Sequence, residues 1–138
     1  MTIRTLLVDD NRTFLSAVRN FLRTLIDVEV VAHAHDGATA LALAKRLEPD
    51  LVLLDIVMPE MGGLEVAAAL QTLSVPPRIV FLSMHDSQAY RTAARELGAR
   101  GYVGKGDFVV DLVPLIQQIA RELQGHMPAS VCTEESRP

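Results

Sequence analysis

Apolar positions along the chain follow two rhythms, short runs that are mostly apolar and longer stretches with helical spacing. Ile3 to Val8, Val28 to Ala34, Leu51 to Leu54, Arg78 to Leu82 and Ala99 to Val103 form the runs. Runs of this length between turn residues predict strands. The unbroken run Leu51 to Leu54 predicts one buried on both faces, although periodicity alone leaves a helical reading of it open. Between them the spacing lengthens. Arg12 to Ile26 carries Phe14, Leu15, Val18, Phe21, Leu22 and Leu25 on a wide apolar face, which predicts a helix capped by Asp10 or Asn11. A second helix is predicted over Ala38 to Leu47, after the Asp36-Gly37 turn. A third covers Leu64 to Leu73, with Leu64, Ala67, Ala68 and Leu70 toward the core, and a fourth covers Ser87 to Leu97. The last spans Val109 to Gln124, with Leu112, Leu115, Ile116, Ile119 and Leu123 inward. Proline is tolerated in a first turn, so Pro114 predicts that the regular helix begins nearer Asp111.

Five strands alternating with five helices predict an α/β fold, a parallel sheet covered on both faces with right-handed crossovers. Its centre is Leu51-Val52-Leu53-Leu54-Asp55-Ile56-Val57-Met58-Pro59, where an apolar run meets a carboxylate and Pro59 forbids continuation. From Gly125 the chain turns polar. Residues 1–124 therefore read as one domain, and 125–138 as a flexible tail or the start of a linker.

Composition narrows the partners. The 138 residues carry 13 basic and 17 acidic side chains, a net charge of -4, which disfavours direct nucleic-acid binding by this chain. One cysteine, Cys132, cannot form an internal disulfide, which fits a reducing compartment. No signal peptide is apparent, and no apolar run approaches the about 18 residues of a membrane span, so a cytoplasmic, membrane-free location is expected.

The candidate chemistry sits at strand ends. Asp9, Asp10, Asp55, Ser83 and Lys105 each follow the apolar part of a predicted strand, and in a parallel sheet those ends share one edge. Three clustered carboxylates repel one another unless a cation compensates, and a hard ion such as Mg2+, or Mn2+, suits oxygen donors. Lys105 adds a positive charge and Ser83 a hydroxyl donor, so the set could stabilise a phosphoryl group on a nucleophilic aspartate. Taken singly, Asp10 reads as a helix cap, Lys105 as a surface residue and Ser83 as nothing in particular. The joint arrangement leaves phosphoryl or metal chemistry and simple turn formation both open.

A resemblance bears on that choice. Leu7-Val8-Asp9-Asp10, Asp55 through Gly63, Leu82-Ser83-Met84-His85-Asp86 and Gly98 through Lys105 closely resemble the receiver domain of bacterial two-component response regulators, over Ile3 to Gln124. Asp36-Gly37 with Ala40-Leu41, and the Ser83-to-Asp86 segment, are most similar to the subfamily with a LuxR-type helix-turn-helix output domain. The resemblance implies a flavodoxin-like three-layer fold of strand order 2-1-3-4-5. It implies Asp55 as phosphoacceptor and Mg2+ held by Asp10, Asp55 and the Val57 backbone carbonyl, with Asp9 acting largely through water. It further implies Ser83 as switch hydroxyl, Lys105 as phosphate-binding lysine and Tyr102 as switch aromatic. His85, two positions after Ser83, is a candidate modulator of access. A sensor histidine kinase is the implied donor, the switch moves the face of the fourth helix, fifth strand and fifth helix, and a homodimer on phosphorylation is a further expectation. DNA would be reached only through an output domain absent from this chain.

Three positions depart from the commonest family pattern. Gly62 replaces a frequent Asp, a mild loop change. Gly104 stands where a larger apolar residue is usual and Gly106 where proline is common, so a looser fifth strand and an unusually mobile Lys105 are expected. The five chemical positions are intact, so phosphorylation competence without ordinary enzymatic turnover is expected. Two rivals remain: a receiver that docks without phosphorylation, and a metal-dependent phosphohydrolase, for which no general acid or cap domain is evident. A flavin protein is disfavoured, because acidic residues occupy the place of a flavin phosphate.

Overall fold

The two rhythms become five parallel strands and five α-helices in the computed structural model, which describes residues 2–85 and 87–125. In chain order they are β1 (Ile3–Val8), α1 (Arg12–Leu22), β2 (Val28–Ala34), α2 (Gly37–Leu47), β3 (Leu51–Asp55) and α3 (Gly63–Leu70), followed by β4 (Arg78–Ser83), α4 (Gln88–Glu96), β5 (Gly101–Gly104) and α5 (Phe108–Gly125). The strand order is β2-β1-β3-β4-β5 with every neighbouring pair parallel, the expected flavodoxin-like arrangement.

Side chains alternate across a strand, so β3 feeds two core layers. Val52 and Leu54 join Ala40 and Ala44 of α2, Val66 and Leu70 of α3 and Ala94 of α4. Leu51 and Leu53 join Leu15, Val18 and Leu22 of α1 and Leu112, Ile116 and Ile119 of α5 on the other face. Every residue of β3 is buried, which is why its sequence is an unbroken apolar run closed by one carboxylate. Helix starts are capped locally. Asn11 accepts from the Phe14 N–H at 3.0 Å and Asp36 from the Thr39 N–H at 2.8 Å.

Several element limits differ from the sequence reading. Helix α1 stops at Leu22 rather than Ile26, because Thr24 donates its hydroxyl to the Phe21 carbonyl (2.7 Å) and tightens the last turn. Ile26 is left 91% exposed. Helix α3 ends at Leu70, and it is Val66, not Ala68, that joins Ala67 and Leu70 in the core. Strand β5 begins at Gly101, not Ala99. Gly98 (φ 81°) ends α4 in a left-handed turn, and the Ala99 N–H is spent on the Ala94 carbonyl at 3.0 Å. Helix α5 begins at Phe108, led in by a 3-10 turn over Lys105–Asp107, so Pro114 lies in its interior rather than in a first turn. The carbonyl that loses its partner to proline is that of Val110, a residue 73% exposed, where water can replace the missing N–H. Leu115 and Leu123 pack against the core only half buried. The expected boundary at residue 124 falls beside the end of α5 at Gly125, while Asp86 and the tail with Cys132 lie outside the described residues.

Candidate functional site

The strand ends converge as the sequence predicts. Asp9 follows β1, Asp55 and Ser83 are the last residues of β3 and β4, and Lys105 follows β5. Asp9, Asp55, Ser83 and Lys105 are all buried, and only Asp10 is exposed. The Lys105 Nζ lies 2.7 Å from Asp9 Oδ2 and 3.5 Å from Asp55 Oδ2. Lys105 is 8% exposed and bridges two carboxylates, which differs from the loosely held lysine expected from its flanking glycines. Asp9 is also tethered by its own turn, since its Oδ1 accepts from the Asn11 N–H at 2.9 Å.

Burial raises the Asp55 pKa from 3.8 to about 7, and the neighbouring Asp9 charge pushes in the same direction. The Lys105 ammonium and the Val57 backbone N–H oppose that rise. Val57 itself is 45% exposed on the loop that leaves β3. That loop doubles back tightly. The Gly63 N–H donates to the Ile56 carbonyl at 2.7 Å, and a Cβ on Gly63 would stand 2.0 Å from the Asp55 carbonyl oxygen. Glycine is therefore required for the loop to close under the carboxylate.

The residues present fit a divalent cation. Asp9, Asp10 and Asp55 each offer an oxygen, all within 4.8 Å of one another. Asp9 Oδ2 is buried and its near partner is the Lys105 ammonium at 2.7 Å, which occupies only part of the acceptor capacity of that oxygen. An anionic oxygen with unused acceptor capacity in a carboxylate cluster suits Mg2+ or Mn2+.

Ser83 and Tyr102 meet at one backbone unit. Ser83 Oγ accepts from the His85 N–H at 2.9 Å and faces the His85 carbonyl at 3.2 Å, and the Tyr102 hydroxyl donates to the same carbonyl at 2.5 Å. Arg91 lies 4.7 Å over the Tyr102 ring. These side chains line a 440 Å³ cleft that reaches Lys105. The His85 ring is exposed and packs edge-on against Tyr90, which is half-buried on α4. Phe108 packs between Phe14 and Phe21, while Val109 and Val110 are exposed.

Sequence reading missed Phe14, whose ring lies 4.6 Å from the Lys105 Nζ. Its spacing marks it only as a helix core position, and nothing in the sequence pairs it with a lysine ninety-one positions later. It also missed His35, whose Nδ1 lies 3.3 Å from the Asp9 carbonyl.

Comparison with known proteins places the chain among relatives. A family model described as response regulator receiver domain matches residues 5–117. The nitrate/nitrite response regulator protein NarL of Escherichia coli is 36% identical over 115 residues, which cover 83% of this chain and 53% of that protein. The transcriptional regulatory protein DegU of Brevibacillus brevis is 32% identical over 119 residues, 84% of this chain and 50% of that protein. The solved signal receiver domain of the response regulator NarL from Mycobacterium tuberculosis superposes with a TM-score of 0.78 at 34% identity, over 91% of this chain and 98% of that one. The chain thus spans about half the length of the curated relatives it matches.

Proposed function

The chain belongs to the response regulator receiver domain family, and on that premise we propose that Asp55 accepts a phosphoryl group from a phosphohistidine of a sensor histidine kinase. The observation that carries this reading is the placement of Asp55, buried at the end of the central strand beside Lys105 and two further carboxylates. In the reaction one Asp55 carboxylate oxygen attacks phosphorus. The new O–P bond replaces the P–N bond, and the imidazole leaves with the bonding pair. Lys105 offers its ammonium to the equatorial oxygens as the charge moves. Mg2+ would be held by Asp9, Asp10, Asp55 and the Val57 carbonyl, and would supply further neutralisation of those oxygens. The nucleophile must be ionised, so whatever offsets the raised Asp55 pKa also favours the reaction.

The switch then runs through His85. A phosphoryl group on Asp55 competes for the Ser83 hydroxyl, which now bonds to the His85 backbone. Tyr102 holds the same carbonyl, so moving Ser83 frees the anchor that keeps the Tyr102 ring in place. The covalent charge biases a two-state equilibrium of the α4, β5 and α5 face. Residues 1–124 act as the receiver and 125–138 as a tail or the start of a linker, and DNA is reached only through a separate output domain. Transcription control, a homodimer formed through α4 or α5, hydrolytic loss of the phosphate and a cytoplasmic location follow from the same reading. No helix among the described residues is long and apolar enough to cross a membrane.

Intact mass after incubation with acetyl phosphate and Mg2+ tests the proposal. The expected result is a gain of one phosphoryl group (about 80 Da), absent in Asp55→Asn. Absence of an adduct, together with failure to bind beryllofluoride, would overturn phosphorylation and leave a docking module. Sedimentation with and without phosphodonor checks the dimer.

A further inference from the structure

The outer edge of β2 carries a groove that the phosphoryl site does not use. Strand β2 ends the sheet, with β1 on one side and no strand on the other among the described residues. A cleft of 450 Å³ runs along it, walled by Arg19 and Leu22 of α1 and Arg23 just past its end, by the β2 residues other than Glu29 from Val28 to His33, and by Leu43 of α2. The floor is apolar and the rim is basic. Arg19 and Arg23 stand on that rim, and Arg12, at i to their i+7 and i+11, continues the same stripe of α1 and its C-cap beyond the cleft. None of the three forms an ion pair among the described residues, and the Arg19 Nε is buried with no hydrogen-bond acceptor. The positive field reaches His33, whose pKa is lowered by burial first and then by His35, Arg19 and Arg12. Glu29, the acid on the strand, is drawn toward Thr2 at its start.

An unpaired strand edge offers a row of backbone donors and acceptors, and an extended segment laid beside it satisfies them. The half-buried Arg19, whose Nε has no acceptor among the described residues, adds a place where an anion is favoured. We propose that this groove binds an extended acidic segment of a partner protein, which adds as a strand to β2 and sets its carboxylates against Arg19 and Arg23. Charge selects this occupant over a second copy of the chain. A twofold pairing of β2 edges would bring each basic rim against its own image. The chain as a whole carries a net charge of -4, so the basic stripe is a local departure and not part of a general field.

The test uses the full chain labelled with 15N and two capped peptides, one alternating Glu and Val, the other alternating Lys and Val. The acidic peptide is expected to shift the amides of residues 28–33 and the Arg19 Nε resonance in the millimolar range. The basic peptide leaves them unmoved. Arg19→Gln with Arg23→Gln removes both charges while keeping two of the three methylenes of each stem, leaves the melting midpoint in place, and weakens acidic-peptide binding at least about fivefold. Equal shifts with both peptides, shifts elsewhere on the fold, or affinity insensitive to the two substitutions would overturn the proposal. So would silence of the β2 amides at saturating peptide. Concentration-dependent broadening of the same amides without peptide would assign the groove to self-association instead.

Discussion

Replacing Asp55 with asparagine should stabilise the metal-free protein, and by an amount that grows with pH. The folded chain holds the Asp55 proton up to about pH 7, while the unfolded chain releases it near 3.8. A group with a raised folded pKa contributes stability that is fully present below 3.8 and is lost as the pH rises through about 7. Three pKa units correspond to a ceiling of about 4 kcal/mol. The carboxylate stands at the edge of the sheet near Lys105, and relaxation there reduces the expected gain to about 1–3 kcal/mol. Asparagine has nearly the same shape and no charge, so the variant escapes the loss. At this chain length the gain corresponds to a rise in melting midpoint of roughly 3–10 °C. Circular-dichroism melts in chelator between about pH 5 and pH 8 read it directly. The gap between variant and parent should widen across that range and level off above about pH 7. Added Mg2+ should narrow it, because the parent alone keeps all three carboxylates. A gap of one size at every pH would trace to packing and refute the electrostatic argument, as would a variant less stable than the parent at pH 8.

Other perturbations separate the parts of the site. Gly63→Ala should cost more than about 3 kcal/mol in urea unfolding, since its Cβ would sit 2.0 Å from the Asp55 carbonyl oxygen; a mild effect would mean the loop after β3 is free to move. Phe14→Leu and Phe21→Leu each lose one edge-on contact with Phe108, but only the first removes the ring beneath Lys105. Acetyl-phosphate labelling should therefore slow several-fold in Phe14→Leu alone, in line with about 0.5–2 kcal/mol for the cation–π contact. Equal rates in the two variants would remove Phe14 from the positioning of the lysine. Glu48 ends α2 at φ 49°, a left-handed geometry that costs a side chain and not glycine. Thermal melts of Glu48→Gly should show a gain of up to about 1 kcal/mol, and a loss would show that unfolded-state entropy outweighs the relief.

The alternation of apolar runs and amphipathic stretches determined the five strands, the five helices and the parallel sheet, because burial on one or both faces leaves a period in the sequence itself. The same pattern put Asp9, Asp55, Ser83 and Lys105 on one sheet edge, since parallel strands all end there. Element ends were less legible. Thr24 stopping α1, and Ala99 bonding back to Ala94, are choices between competing local hydrogen bonds that spacing cannot rank. Pro114 misled for a related reason: its cost depends on whether the orphaned carbonyl meets water, and exposure is a property of the fold. Only tertiary structure decided that Lys105 is buried between two carboxylates, that Phe14 lies beneath it, and that the Ser83 and Tyr102 hydroxyls share one carbonyl. These contacts join residues from different elements, and their energies depend on distance and desolvation, quantities that come into being when the elements pack.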